Sequence, residues 1–271
     1  MKLQAPSHQE SGLPSAEGRQ RLLSRRFDPV FHADWLDAVF LHFETDPAVL
    51  QREVPWELDL FEGRAFVSLV AFTMRDMRPI RGGRLAALPF RPIATHEFLN
   101  VRTYVKHGGE PGIYFLKEWL PNRLSVALGP VMFGLPYQLG RMDYDHDMEN
   151  GVARGRVEDA GSGKALVYSC EVDEAAVHAP CASDSLEEFL VERYTAFTSV
   201  ELPLPGRPML RRLFRIWHPP WDVVPLTAQI GDRSLLSLTG DWSREARLVS
   251  AHHSPGVHDV WMGRPHLVRG A

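Results

Sequence analysis

Apolar positions along this chain recur mostly with the two-residue period of strands. "WLDAVFLHFET" (35–45) alternates imperfectly and is rich in aromatics, which predicts a strand. "RAFVSLVAFTM" (64–74) is a β-branched and aromatic run and predicts a buried strand. "HEFLNVRTYV" (96–105) and "IYFLKEWL" (113–120), joined through "HGGEPG", predict a hairpin-like pair. "GRMDYDHDMENGVARGRVEDAGSGKALVYSCEVDE" (140–174) reads as a meander with turns at Asn150-Gly151 and "GSGK". From Leu213 to Val268 short apolar runs again alternate with Gly/Pro turns.

Helical signals are fewer. Asp46 is a good N-cap, Pro47 suits a first helical position and Pro55 ends the segment. "SVALGPVMFGL" (125–135) predicts a short helix. In "LEEFLVERYTAF" (186–197), Ser185 and Glu188 form a capping box, and Leu186, Phe189, Leu190 and Phe197 share a face. Residues 75–93 hold three prolines and five arginines and predict a long excursion between strands. Residues 1–20, rich in Ser, Gly, Gln and Glu, read as a mobile tail. The organisation expected is a flexible segment 1–24 and one domain over 25–268. Its fold class is mainly β (α+β), a barrel or a pair of packed sheets with a few short helices.

Composition narrows the partners. With 44% hydrophobic and 24% charged residues in 271, a core forms without metal or disulfide support. A net charge of −4 argues against non-specific nucleic-acid binding. The two cysteines, Cys170 and Cys181, make no framework and no C-x-x-C, so reduced thiols in a cytoplasm are expected. The N-terminus lacks the apolar stretch of a signal peptide, and no run of about 18 apolar residues suggests a membrane span. Of 30 basic residues, four are lysines: Lys2, Lys106, Lys117 and Lys164.

Familiar catalytic signatures are missing. The histidines, including His252-His253 and His258, show no HExxH or facial-triad spacing, so no metal is assigned. "GSGK" lacks the spaced glycine and Ser/Thr of a phosphate loop, and there is no G-x-S-x-G. His218 in "RIWHPPW" (215–221) fits either a pocket wall or a rigid aromatic-packed loop. In "NVRTYV", Asn100, Arg102 and Tyr104 share one strand face. That face meets solvent or lines a barrel interior, where Arg102 would hold a carboxylate bidentately.

The segment "HEFLNVRTYV…GEPGIYFLKEWLPNRLSVALGPVMFGLPYQLGRM" (96–142) resembles the YqjF-like family of bacterial proteins. "DPAVLQREVPWELDLFEGRAFVSLVAF" (46–72), "FLVERYTAF" (189–197), "HPPWDVVP" (218–225) and "HHSPGVHDVW" (252–261) extend the resemblance over nearly the whole chain beyond the tail. The family is similar to the acetoacetate decarboxylase superfamily, which implies a closed β-barrel with helices packed outside. Decarboxylases read G-R-E…Y-P-K-K-L-G where this chain reads Gly129-Pro130-Val131…Leu135-Pro136-Tyr137-Gln138-Leu139-Gly140. Their lysine, activated by a neighbouring cation, forms the imine. Tyr137 and Gln138 replace the lysine pair, and a phenol forms no imine. The resemblance also implies a pocket glutamate, for which Glu97 is the match, although its strand parity is opposite to that of Arg102.

Three functions remain open on this reading. The first is a barrel pocket binding a small organic acid or carbonyl compound through Asn100, Arg102, Tyr104, Tyr137, Gln138 and Arg141. The second is an enzyme using Glu97, Tyr137 or a histidine as acid/base, with Arg102 or Arg141 orienting a carboxylate, or Lys117 as a substitute amine. The third is an assembly protein with a filled barrel. A small, anionic molecule is the expected partner, with no cofactor, nucleic acid or membrane; self-assembly is left open.

Overall fold

A computed structural model describes residues 14–147, 151–172, 175–201 and 209–268. Fourteen strands are described: β1 (Phe31–Thr45), β2 (Glu57–Leu58), β3 (Ala65–Pro79), β4 (His96–His107), β5 (Glu110–Leu120), β6 (Tyr137–Asp147), β7 (Val152–Asp159), β8 (Ala165–Val172), β9 (Ala179–Pro180), β10 (Thr195–Glu201), β11 (Met209–Trp217), β12 (Asp222–Asp232), β13 (Arg247–Met262) and β14 (His266–Leu267). The helices are short: α1 (Pro14–Leu23), α2 (Pro47–Gln51), α3 (Gly83–Ala87), α4 (Arg123–Phe133) and α5 (Leu186–Val191).

The hydrogen-bonded strand order closes on itself. Nine strands, β5-β6-β7-β8-β12-β13-β1-β3-β4, form a barrel when β4 pairs with β5. A second circuit branches from it. β10 runs parallel to β5, β11 pairs with β10, and β11 joins β13 at Ile216–Met262 and Trp217–Trp261. The strands β13, β1, β3, β4 and β5 therefore serve two enclosures, one on each face.

Strand alternation sorts the residues between the two. Val39, Leu41 and Phe43 of β1, Val67 and Leu69 of β3, and Leu99 and Val101 of β4 pack with Val157, Leu166, Tyr168 and Cys170 to fill the nine-stranded barrel. Their neighbours Phe40, Val70, Phe98 and Tyr104 point the other way, toward Ala196, Phe214 and Ile216 of the second circuit. The first enclosure is a packed core. The second holds the cavity described below.

Three expectations need correction. Residues 14–23 form α1 instead of a tail. Its small residues make close packing: Ser15 Oγ donates to the His218 carbonyl (2.8 Å), Gly18 lies against the Tyr194 ring, and Leu22 is fully buried. The helix expected over 186–197 stops at Val191, because Thr195–Glu201 pairs with β11 as strand β10. Its N-terminus is capped as expected, with Ser185 Oγ accepting from Glu188 N–H (3.1 Å). The excursion begins later than expected: β3 runs to Pro79, and α3 and a 3-10 helix (Leu88–Ile93) make up most of the remainder.

Candidate functional site

The cavity sits between the shared strands and β11, with a volume of about 80 Å³. Aromatic and aliphatic side chains, among them Trp35, Phe98, Phe214 and Trp221, form most of its wall. The polar groups on it are Asn100 and Arg102 of β4, Glu118 of β5, Tyr137 of β6, and Arg193 and His218 from connecting segments.

Local backbone geometry brings these groups together. Asn100 pairs directly with Glu118 across the β4–β5 ladder, so both face the cavity. The register then slips: Val101 opposes Lys117, but Arg102 opposes Phe115, leaving Leu116 as a bulge. The bulge reverses the alternation of β5. Glu118, Phe115 and Ile113 all line the cavity, while Lys117 faces the opposite side with Val101. Tyr137 enters at the start of β6, paired in parallel with Glu118. Its ring lies on Gly129 of α4, where a Cβ would come within 2.3 Å of the ring carbons. Gly134, with φ of 75°, ends α4 in the left-handed conformation and its N–H donates to the Pro130 carbonyl (3.0 Å). Gly129 and Gly134 of the "GPVMFGLPY" segment thus place the tyrosine.

The site carries buried polar atoms without partners. Arg102 is 7% exposed; one terminal nitrogen donates to the Leu190 carbonyl (3.2 Å), and Nε has no partner. Arg193 is held by Asp59 (2.9 Å) and the Phe189 carbonyl (2.8 Å), yet its Nη2 is buried and unpaired. Asn100 Oδ1 and Glu118 Oε2 are unpaired as well. Native interiors leave few such atoms, because each unmade bond costs about 1–3 kcal/mol. Two incompletely satisfied arginines line one small cavity.

Burial sets the protonation of the acids. Glu118 is 2% exposed, and loss of solvation holds its pKa well above the ordinary carboxylate value, with Arg102 only partly offsetting this. Burial, reinforced by Glu118, raises the Tyr137 phenol. Both shifts favour the protonated, hydrogen-bond-donating form. Glu192, behind the wall, is raised to about 7 by burial; it accepts from Tyr194 and from the Trp221 N–H (2.8 Å). His218 is lowered to about 4, chiefly by burial, so its imidazole is neutral.

Behind Arg102 runs a hydrogen-bonded chain. Tyr104 donates to the same Leu190 carbonyl (2.7 Å) and contacts Ser68 Oγ (2.5 Å), which contacts His42 Nδ1 (2.6 Å). Tyr104 supports Arg102 from the rear and is not part of the cavity wall. Other candidates are also displaced. Glu97 falls on the barrel side of β4, where its charge acts on Tyr144. Gln138 opposes Trp119 and points away from Tyr137. Arg141 is 83% exposed and pairs with Glu158 (3.5 Å). Lys117 lies behind the cavity, and among the described residues no lysine lines it: Lys106 pairs with Glu57 and Lys164 bonds Ser237. Among the described residues no three His, Cys, Asp or Glu side chains form a metal site, and no helix is long and apolar enough to cross a membrane.

Residues 32–258 match the model of a family described as "Uncharacterized conserved protein", DUF2071. The chain belongs to the DUF2071 family. The uncharacterised protein YqjF of Bacillus subtilis (strain 168) is 28% identical over 214 residues, 78% of this chain and 82% of the relative. Among solved structures, the DUF2071 chain resembles acetoacetate decarboxylase from Legionella pneumophila (TM-score 0.62, 15% identity, 89% of this chain and 87% of that one). It also resembles the enduracididine biosynthesis enzyme MppR complexed with the condensation product of pyruvate and imidazole 4-carboxaldehyde (TM-score 0.61, 15% identity, 88% and 89%). At such identity the likeness establishes the fold, a closed acetoacetate-decarboxylase-like barrel, and nothing of the chemistry.

Sequence reasoning missed Glu118 and Arg193. Glu118 was hidden by the bulge at Leu116. Arg193, in "FLVERYTAF", was absorbed into a helix that ends two residues before it.

Proposed function

We propose that this DUF2071 protein binds a small organic carboxylate carrying a carbonyl or hydroxyl group, without imine chemistry. The observation that carries the reading is that two buried arginines, Arg102 and Arg193, each with an unpartnered guanidinium nitrogen, line one cavity. A carboxylate offers about four acceptor positions and satisfies such donors with charge-assisted bonds. Neutral Glu118 and Tyr137 then donate to a second oxygen, and Asn100 Oδ1 accepts from a hydroxyl or amide.

A second reading adds turnover in the same cavity. Its support is the pairing of Glu118, a carboxyl held protonated by burial, with Tyr137 across β5–β6. A raised carboxyl beside the Arg102 cation suits proton transfer to a substrate oxygen or carbon. The two readings differ only in the fate of the ligand.

A thermal-shift panel of pyruvate, acetoacetate, lactate and their longer homologues tests binding. A ligand at 100 times its dissociation constant adds about 2.7 kcal/mol of stability. A panel in which no acid raises the melting temperature contradicts the proposal. Following the same acids by NMR separates binding from turnover. Borohydride treatment in the presence of acetoacetate is expected to leave every lysine unmodified.

A further inference from the structure

A second chamber, of about 110 Å³, adjoins the polar cavity. The two share a wall of Met74, Phe98, Leu135, Tyr137, Phe214 and Met262. The chambers differ in kind. Apart from the shared Tyr137, the only side-chain polar groups of the second are His96 and Ser125, which bond each other (3.1 Å). Among the described residues, none of the fully buried side-chain atoms left without a partner belongs to its wall. Phenylalanines 31, 90 and 133 and methionines 77 and 132 make up much of the rest.

The second chamber is also the outer one. Nearly all residues around the polar cavity are buried, whereas Leu128 (37% exposed) and Met132 (43%) of α4 bring the apolar chamber to the surface. Met74 and Met262, flexible and polarisable, stand between the chambers; methionine repacks around varied shapes at little cost.

We propose that the ligand is amphipathic: a carboxylate held at Arg102 and Arg193, carrying a short apolar tail, smaller than a phenyl ring, that lodges in the chamber under α4. The inference rests on reading the polar cavity as a carboxylate site. The size follows from the volume: an apolar cavity of roughly 150 Å³ takes a benzene ring, and this chamber, at about 110 Å³, is smaller. The tail explains why a mostly apolar chamber reaching the surface at Leu128 and Met132 abuts a more buried one lined by incompletely satisfied polar side chains.

Calorimetric titration with sodium acetate, butyrate, hexanoate and phenylacetate tests this. Affinity is expected to rise about fourfold for each added methylene, from about 0.8 kcal/mol per buried CH₂, and to level once the chamber is full. Leu128→Trp, at a partly exposed helix position, should bring hexanoate down to the affinity of acetate while leaving acetate unchanged. Met132→Trp gives a second plug should the first variant melt early. Affinity independent of chain length, or a plug that weakens all acids alike, overturns the tail while the carboxylate site stands. Hexanol binding as tightly as hexanoate, or no acid binding at all, overturns the carboxylate site itself.

Discussion

Asn100 and Glu118 oppose each other across β4 and β5, one step from a bulge that turns Lys117 away from the same cavity. This relationship decides the character of the site. Had β5 kept its alternation from Ile113 and Phe115, an amine would enter the cavity; with Leu116 bulged, a carboxyl does.

Glu118 should make stability pH-dependent in a definite direction. Its folded pKa is raised well above its ordinary value, near 4.5, by burial. The stabilisation from holding the proton is complete below that value and is lost as pH rises toward the folded pKa. Glu118→Gln keeps the shape without the titration. The variant should gain on the wild type as pH rises above 4.5, by up to about 1.4 kcal/mol per pH unit. Urea unfolding of both proteins between pH 4.5 and 8 measures the difference, and parallel curves would show that Glu118 is ionised in the native state.

Acid should nevertheless destabilise the protein as a whole. His218 and His253 are lowered to about 4 and about 3, chiefly by burial, and His42 is lowered well below its ordinary value. Unfolded, these imidazoles take up protons as pH falls through 6.5; folded, they do not, so their stabilisation is lost in that window. Glu118 and Glu192 act with the opposite sign, but His96, His146, His252 and His266 are lowered as well, so the histidines outnumber them. The net expectation from pH 6 to 5 is a loss of about 1.4 kcal/mol or more, at least one group's worth. Denaturation midpoints that stay level or rise across that unit would contradict the buried neutral histidines.

Gly129 and Tyr137 should be coupled. A Cβ on Gly129 would press into the Tyr137 ring, so Gly129→Ala should cost about 1–3 kcal/mol by overpacking despite the better helix propensity of alanine. With Tyr137→Ala in place the clash is gone, and the same change should stabilise by up to about 1 kcal/mol. A double-mutant cycle by thermal or urea unfolding reads the sign change. Additive effects would mean that the ring does not rest on the helix.

Much of this was legible in the sequence. Alternation marked β1, β3, β4 and β5, and the N-x-R-x-Y row put Asn100 and Arg102 on one face, where they line the cavity. The same parity set Glu97 on the other face, against the family resemblance that nominated it. Alternation failed at Leu116, because a bulge inserts one residue without leaving a compositional mark. It failed again after Val191, where "ERYTAF" continues the apolar period of a helix but pairs as a strand with β11. Long-range pairing overrides local pattern there. The second enclosure was hidden for the same reason, since two short pairings far apart in sequence close it.

The central claim is that Arg102 receives the carboxylate of the ligand. Calorimetric titration of the tightest-binding acid of the panel into wild type, Arg102→Leu and Arg102→Lys tests it most directly. Loss of one partner of a buried charge-assisted contact costs about 2–5 kcal/mol, roughly 30-fold to several thousand-fold in affinity. Lysine should not rescue binding, because a point charge does not reproduce the planar fork. The free protein should stay folded with a melting temperature at or above that of wild type, since leucine removes a buried, incompletely satisfied cation. Wild-type affinity in a folded Arg102→Leu would contradict the account, and the carboxylate site would have to be sought elsewhere.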